Sequence, residues 1–384
     1  MTIVEADEEQ WQEYDALARR AYGHPVEDIL RLGAHADRRV VMRSGKVIAG
    51  GMGMLIPQVF GGRAIPGACL GSGCVAPEER GGRLAGRLLT ERIRALRERG
   101  AVLATLWTNS NGYARKAGWE APAQVFTWSV AADELRRSFR RHDFDISHGL
   151  GAEAERLRRD LAHQWNGPLI GPEWWTSWQR EKYGSTSYQF SRRGEAPAGS
   201  VSLSARNRER AEVVVQEFWA SDDDVASAML EFLGSYSSSV PAIEFERTSL
   251  PPYPVLLHNL HHSESASARA KPGWMFRILD FEAAVRLRGW PNDVEATVPI
   301  RIAADGGDSR EHYALRIADG KAELSPTRLE SRVTFTPRQF AVWYAGGYRT
   351  VATARLSGVR GAPEELAPLI RATTDREPWM SDHF

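Results

Sequence analysis

The sequence predicts an α+β protein of two or three domains, on three observations. In the first 130 residues several β-rich runs come in succession between the N-terminal amphipathic helix and the next long helix, so the strands begin as antiparallel pairs rather than as the units of a doubly wound sheet. The 384 residues give room for two or three domains at roughly 150 residues each. An apolar fraction of 42% beside 26% charged residues is that of a chain with buried cores.

The elements follow in order. Trp11, Tyr14, Leu17, Ala18 and Ala21 recur at helical spacing and predict an amphipathic helix. Arg39 to Arg43 and Lys46 to Ile56 read as strands joined by a hairpin turn at Ser44-Gly45. A second turn at Gly61-Gly62 leads into a run from Ala64 to Ala76, which Pro77 stops. Leu84, Leu88, Leu89, Ile93 and Leu96 form one stripe of a helix that Gly100 ends. Val102 to Trp107 predicts a buried strand, Asn109 to Ala117 a short helix, and Val125 to Val130 another strand.

From about residue 145 the pattern loosens. Glu153 to His163 reads as a charged helix, Ser200 to Phe218 alternates like strands, and Asp222 to Tyr236 is a helix led by three aspartates. Tryptophans 165, 174, 175 and 178 crowd one segment and read as packing or interface residues. Ser263 to Pro272 reads as a linker. Beyond it come a strand from Trp274, a short helix from Phe281 to Leu287, and strands at Val294 to Ala303 and His312 to Ile317 about a turn at Asp305-Gly306-Gly307. Pro337 to Tyr344 and Ala362 to Ala372 read as short helices.

Charge and cysteines exclude whole classes. Lys plus Arg equals Asp plus Glu at 49 each, so the basic excess of a general nucleic-acid binder is missing. Cys69 and Cys74 are too few for a disulfide framework or a four-cysteine zinc site, and two thiols fit a reducing cytoplasm. Met1 to Gln10 is acidic without an apolar stretch, and the longest apolar run, Ala101 to Trp107, is far short of the ~20 residues of a membrane helix. The expectation is a cytoplasmic protein with neither membrane nor nucleic-acid partner. His258, His261 and His262 lack a metal-ligand pattern, so no metal is expected, and no Gly-x-Ser-x-Gly is present.

The strongest local feature runs from Cys74-Val75-Ala76 through Arg80-Gly81-Gly82-Arg83 to Leu84-Ala85-Gly86. It is a strand end, a glycine-rich turn and a helix N-terminus, whose N–H groups and dipole suit a pyrophosphate. Arg80, Arg83 and Arg87 add charged donors. A solvated arginine-rich helix face is the plainer alternative. The second feature, Asn111-Gly112-Tyr113-Ala114-Arg115-Lys116-Ala117-Gly118-Trp119, puts a tyrosine on a short helix after a buried strand.

Together the two features resemble the GCN5-related N-acetyltransferases (GNAT). In that family Arg-x-x-Gly-x-Gly/Ala grips the pyrophosphate of coenzyme A, and a downstream tyrosine serves as acid toward the leaving sulfur. Arg80 and Ala85 match the first pattern, while position 83 carries Arg where the middle glycine belongs, with Gly82 one place earlier. Over its whole length, ending Trp379-Met380-Ser381-Asp382-His383-Phe384, the chain resembles the Eis-type (enhanced intracellular survival) acetyltransferases. The resemblance implies a catalytic GNAT domain at 1–140, a degenerate GNAT-like domain at 141–272, and a sterol-carrier-protein-like domain at 273–384.

It further implies acetyl-CoA as co-substrate and an amine acceptor of polyamine type such as an aminoglycoside. Cys74, Val75, Ala76, Arg80 to Gly86 and Asn109 would hold the cofactor. Tyr113 would be general acid, and the α-carboxylate of Phe384 base or water-relay anchor. Tyr22, Glu27, Asp28, Ser72 and Asp382 would line the acceptor pocket, and the assembly would be a homo-hexamer. An α-carboxyl titrates near 3.5 and a tyrosine near 10 against a thiol near 8.5, so a full proton transfer to the thiolate is uphill by about 2 kcal/mol. Hydrogen bonding in the transition state fits better. A peptide lysine, a natural-product amine, or a non-catalytic ligand-binding role with a degenerate GNAT domain stay open as alternatives.

Overall fold

The computed structural model describes all residues except 25–27, 141–142, 208–210, 247–248, 252–254 and 304–309. The chain divides into two units, one of residues 1–122, 273–375 and 384, the other of residues 123–272 and 376–383.

The first unit opens with β1 (Thr2–Glu5), α1 (Glu8–Tyr22) and α2 (Ile29–Gly33). Asp7 and Gln10 close a capping box on α1, and Trp11, Tyr14, Leu17 and Ala18 are buried as the spacing predicts. β2 (Asp37–Arg43) and β3 (Lys46–Leu55) form the expected hairpin, with Ser44 and Gly45 both at positive φ. β4 (Gln58–Phe60) and β5 (Arg63–Ile65) turn at Gly61 and Gly62. Then come β6 (Gly67–Val75), α3 (Leu84–Glu98), β7 (Leu103–Trp107) and α4 (Asn111–Lys116).

The second unit holds β8 (Val125–Ala131), α5 (Ala132–Ser138), β9 (Phe144–His148), α6 (Ala152–Ala162), α7 (Glu173–Tyr183), β10 (Thr186–Arg192), β11 (Pro197–Asn207), β12 (Ala211–Ala220), α8 (Asp223–Gly234), β13 (Ala242–Phe245) and β14 (Ala266–Lys271). Its seven-stranded sheet runs β14-β8-β13-β12-β11-β10-β9. Two expectations change here. Strand 125–131, read with the first domain, pairs with β13 and β14 in this second sheet. The segment read as a linker forms β14, an exposed edge strand on β8 whose small and charged residues carry little apolar signal.

The chain returns to the first unit with β15 (Trp274–Ile278), which pairs antiparallel with β7 and completes the sheet β1-β2-β3-β6-β7-β15. α9 (Phe281–Leu287) leads to β16 (Ala296–Ala303), β17 (Arg310–Ala318), β18 (Lys321–Pro326) and β19 (Val333–Phe335), ordered β18-β17-β16-β19. α10 (Pro337–Tyr344), α11 (Val351–Leu356) and α12 (Pro363–Arg371) follow. The turn expected at Asp305 to Gly307 lies outside the described residues.

Candidate active site

β6 and β7 run parallel only from Gly67↔Leu103 to Leu70↔Leu106, whereas β6 stays paired with β3 as far as Val75↔Ala49. From Gly71 on, no described strand covers the β7 side of β6, and the two strands part. The N–H of Ala76 donates to the Ile48 carbonyl at 2.9 Å. Strand alternation therefore turns the neighbouring Val75 N–H toward the parting. Of the three strand-end residues read as holding the cofactor, Ala76 has its amide engaged inside the sheet. Between Gly50 and Met52 the β3–β6 register shifts, a bulge that places Ser72 at φ 46°.

After β6 the chain makes one 3-10 turn, Pro77–Glu79, and passes Gly81 at φ 90°. Arg83, the N-cap of α3, sits at φ 57°. That left-handed conformation is the physical reason a glycine suits the position. No side chain caps α3. Leu84 packs into a cluster with Val41, Ile48, Ala49 and Leu88, so its backbone alone faces the turn, beside those of Ala85 and Gly86. Gly81, Gly82, Arg83 and Arg87 are exposed around this positive end. Arg80 differs from expectation: its Nη2 donates to the Ala21 carbonyl at 2.7 Å and its Nε to the Val75 carbonyl at 3.4 Å, tying the end of α1 to the end of β6.

Tyr113 reaches this helix end. Its hydroxyl donates to the Ala85 carbonyl at 2.8 Å, and burial pushes its pKa up while Arg92 pulls it down. Behind the bulge lies a second group, in which Tyr14 joins Tyr22, Ser72 and Cys74 of the sequence reading. The Tyr14 hydroxyl donates to the Ser72 carbonyl, the Tyr22 hydroxyl to the Gly73 carbonyl at 3.0 Å, and the Cys74 thiol to the Tyr14 hydroxyl at 3.3 Å. Burial raises the pKa of Tyr14 and of Cys74, and pushes Tyr22 up to about 12. Tyr22 is 41% exposed by area, but its hydroxyl is the end turned inward. Tyr14 lay hidden in the core stripe of α1. Arg92 had a signal: a cation on the buried face of α3, between Leu88, Leu89 and Leu96.

The remaining candidates are dispersed. Asp28 is half-buried at φ 72° and its carbonyl accepts from Leu32 at 2.8 Å, while Glu27 lies outside the described residues. Asn109 is exposed just before α4. Asp382 is not on a free wall. In the second unit its carboxylate accepts from the Leu169 N–H at 2.9 Å and the Trp175 indole at 3.4 Å, with burial pushing its pKa up. Trp379 packs there on Trp165 and Trp219, and the tail bridges to Asn166, while Phe384 groups with the first unit. Among the described residues no group of three or more His, Cys, Asp or Glu side chains could hold a metal, and no helix is long and apolar enough to cross a membrane.

Acetyltransferase (GNAT) domain families match residues 2–121 and 169–278, and a sterol carrier protein domain family matches 281–381. No curated protein matches the chain. A GCN5-related N-acetyltransferase from Anabaena variabilis superposes over 100% of both chains with a TM-score of 0.88 at 19% identity. One from Kribbella flavida covers 100% of this chain and 98% of its own, with a TM-score of 0.84 at 24% identity. Eis1 from Mycobacterium abscessus matches over 100% of both chains with a TM-score of 0.78 at 16% identity. At such identities the three show a shared fold. The chain is an acetyltransferase of GNAT type, with GNAT domains at its N-terminus and middle and a sterol-carrier-like domain at its C-terminus.

Proposed function

We propose that the first domain transfers an acetyl group from acetyl-CoA to a primary amine of a polyamine-type small molecule such as an aminoglycoside. The observation that carries this is the Tyr113 hydroxyl, hydrogen-bonded at 2.8 Å to the first turn of an uncapped helix beside the parting of β6 and β7. The site fits the cofactor: a glycine turn and a free helix end take a pyrophosphate, and the open side of β6 offers backbone to an extended pantetheine arm. Acetyl-CoA supplies the activated acyl carbon, to which the amine nitrogen bonds as the bond to sulfur breaks.

The chain's residues do the rest. Exposed Arg83 and Arg87, with the amides of Leu84 to Gly86, hold the phosphates; Arg80 shapes the loop from behind. The Val75 N–H stabilises negative charge on the reacting carbonyl oxygen. The terminal carboxylate of Phe384 orients the ammonium and accepts its proton directly or through water. Tyr113 hydrogen-bonds the sulfur as charge develops there. Burial raises the tyrosine further above a thiol, so donation without full transfer is the favoured form. Tyr22, Asp28 and Ser72 form the acceptor wall, and Asp382 anchors the tail that ends in Phe384. We assign the chain to the cytoplasm as an Eis-type homo-hexamer with no nucleic-acid or membrane partner, which size-exclusion chromatography with light scattering tests for assembly.

The test is thiol release from acetyl-CoA with kanamycin, spermidine, a lysine peptide, or no acceptor. Aminoglycoside-dependent release is expected. Tyr113→Phe and one residue appended after Phe384 should each lower kcat by roughly 10²–10⁴-fold with acetyl-CoA affinity kept. Full activity in both variants would overturn the assignment of acid and base.

A further inference from the structure

We infer that Arg92 is a positioning residue whose buried cation fixes the β6 bulge and favours proton donation by Tyr113. The inference rests on the acid role proposed for Tyr113, but its structural grounds are separate. Arg92 is 5% exposed, in the middle of α3. Its Nη2 donates to the carbonyls of Met52 and of Gly71, the latter at 2.8 Å, and its Nε has no partner. No carboxylate hydrogen-bonds to it among the described residues. Asp37, the acid within its electrostatic reach, is gripped by Arg39 at 2.7 and 2.9 Å.

The surrounding backbone is shaped to this one side chain. A Cβ on Gly51 would stand 2.6 Å from Nη1, and one on Gly73 would stand 2.8 Å from it. Both glycines border the bulge, where Ser72 takes a left-handed conformation and Gly71 presents its carbonyl. A buried cation without a paired acid is costly, and burial does lower the Arg92 pKa, yet a guanidinium stays charged. Such an arrangement points to use rather than to stability.

Its position says what the use is. Ala85, Leu89 and Arg92 share a face of α3, and helical side chains lean toward the N-terminus. Arg92 thus leans back along the face whose first turn holds the Tyr113 hydroxyl, and Tyr113 packs on the cluster that contains Leu89 and Ile93. Tyr14 and Tyr22 of α1 and Cys74 of β6 also face the guanidinium or one another, and burial holds all three in their neutral forms near pH 7. Arg92 is accordingly a buried charge that acts on Tyr113, beside the exposed Arg83 and Arg87 at the same helix end, and a cation stabilises the phenolate that proton donation begins to form.

The experiment is NMR of the full chain labelled at tyrosine Cζ, titrated from about pH 8 to 11.5, with Tyr113→Phe assigning the signal. In Arg92→Gln the Tyr113 signal should titrate about one pH unit higher, a tenfold loss of phenolate at a given pH. Arg92→Lys should restore most of the shift. An unmoved signal in folded Arg92→Gln overturns the inference. Should that variant not fold, Gly73→Ala displaces the guanidinium without removing it, and an unmoved signal there overturns it equally. A Tyr113→Phe enzyme with full activity would instead sink the acid role and leave the titration result standing.

Discussion

Two strand–helix–strand crossovers can be compared within this chain. In the first, β6 runs into α3 and then parallel β7; in the second, β12 runs into α8 and then parallel β13. In both, the parallel pairing is short and the first strand continues past it, β6 beyond Leu70 and β12 beyond Val215. The difference lies at the helix N-terminus. α3 is reached through residues 76–83 with two adjacent glycines, and its first turn carries no acid and no side-chain cap. α8 is reached through residues 221–222, and Asp222 caps it from its own side chain, with Asp223 and Asp224 in the first turn. One helix leaves its positive end open, as the proposed phosphate site requires, and the other satisfies that end internally with carboxylates. A shared fold thus does not carry a shared site; the capping residues decide.

The largest expected effect comes from giving α3 the cap of α8. Arg83→Asp replaces a cation by an anion at the N-cap. At about 5 Å and an effective dielectric near 20, one such repulsion against a phosphate is about 3 kcal/mol. Acetyl-CoA should bind roughly 100-fold more weakly or worse by isothermal titration calorimetry. The wild-type stoichiometry should be one per chain, and a value of two would break the comparison outright.

A smaller effect is expected on the other side. Asp222→Ala removes the bond from the Val225 N–H at 3.1 Å and the pairing with Arg192 at 3.1 Å, and should cost about 1 kcal/mol of stability without changing acetyl-CoA affinity. The sign of its pH dependence follows. Burial acts to raise the Asp222 pKa, but the Val225 amide, Ser221 and Arg192 outweigh it and the net shift is downward. A lowered folded-state pKa gives stability that is complete above the ordinary aspartate value near 4 and is lost as the pH falls through the folded value. Chemical denaturation of wild type and variant should therefore converge below about pH 4 and diverge above it.

Much of the first crossover is legible in the sequence because its signals are local. The Leu84 to Leu96 stripe, the turn at Ser44-Gly45 and the short helix at Tyr113 each follow from spacing or a turn residue. The rest depends on tertiary partners. Val125 to Val130 alternates as a strand should, but nothing in six residues says which sheet receives it, and β13 and β14 decide. Arg80 reads as a phosphate ligand until the carbonyl of Ala21, at the far end of α1, is seen to accept its hydrogen bond. Asp382 reads as a free acid beside the terminus, yet Leu169 and Trp175 enclose it.

The smallest effect isolates what Arg83 itself contributes. A non-glycine residue at φ 57° carries a left-handed penalty of about 1–2 kcal/mol, against which glycine loses about 0.5–1 kcal/mol of unfolded-chain entropy. Arg83→Ala keeps the strain and drops the charge, whereas Arg83→Gly drops both. Glycine should therefore be more stable than alanine by up to about 1 kcal/mol, read as a rise of about 2–4 °C in Tm for a cooperative unit of this size. Both variants should lose acetyl-CoA affinity alike, since each removes the same cation. Equal Tm values would show that the turn relaxes around alanine. A large gap in affinity between the two would show that the arginine at this turn acts through backbone conformation rather than through its charge.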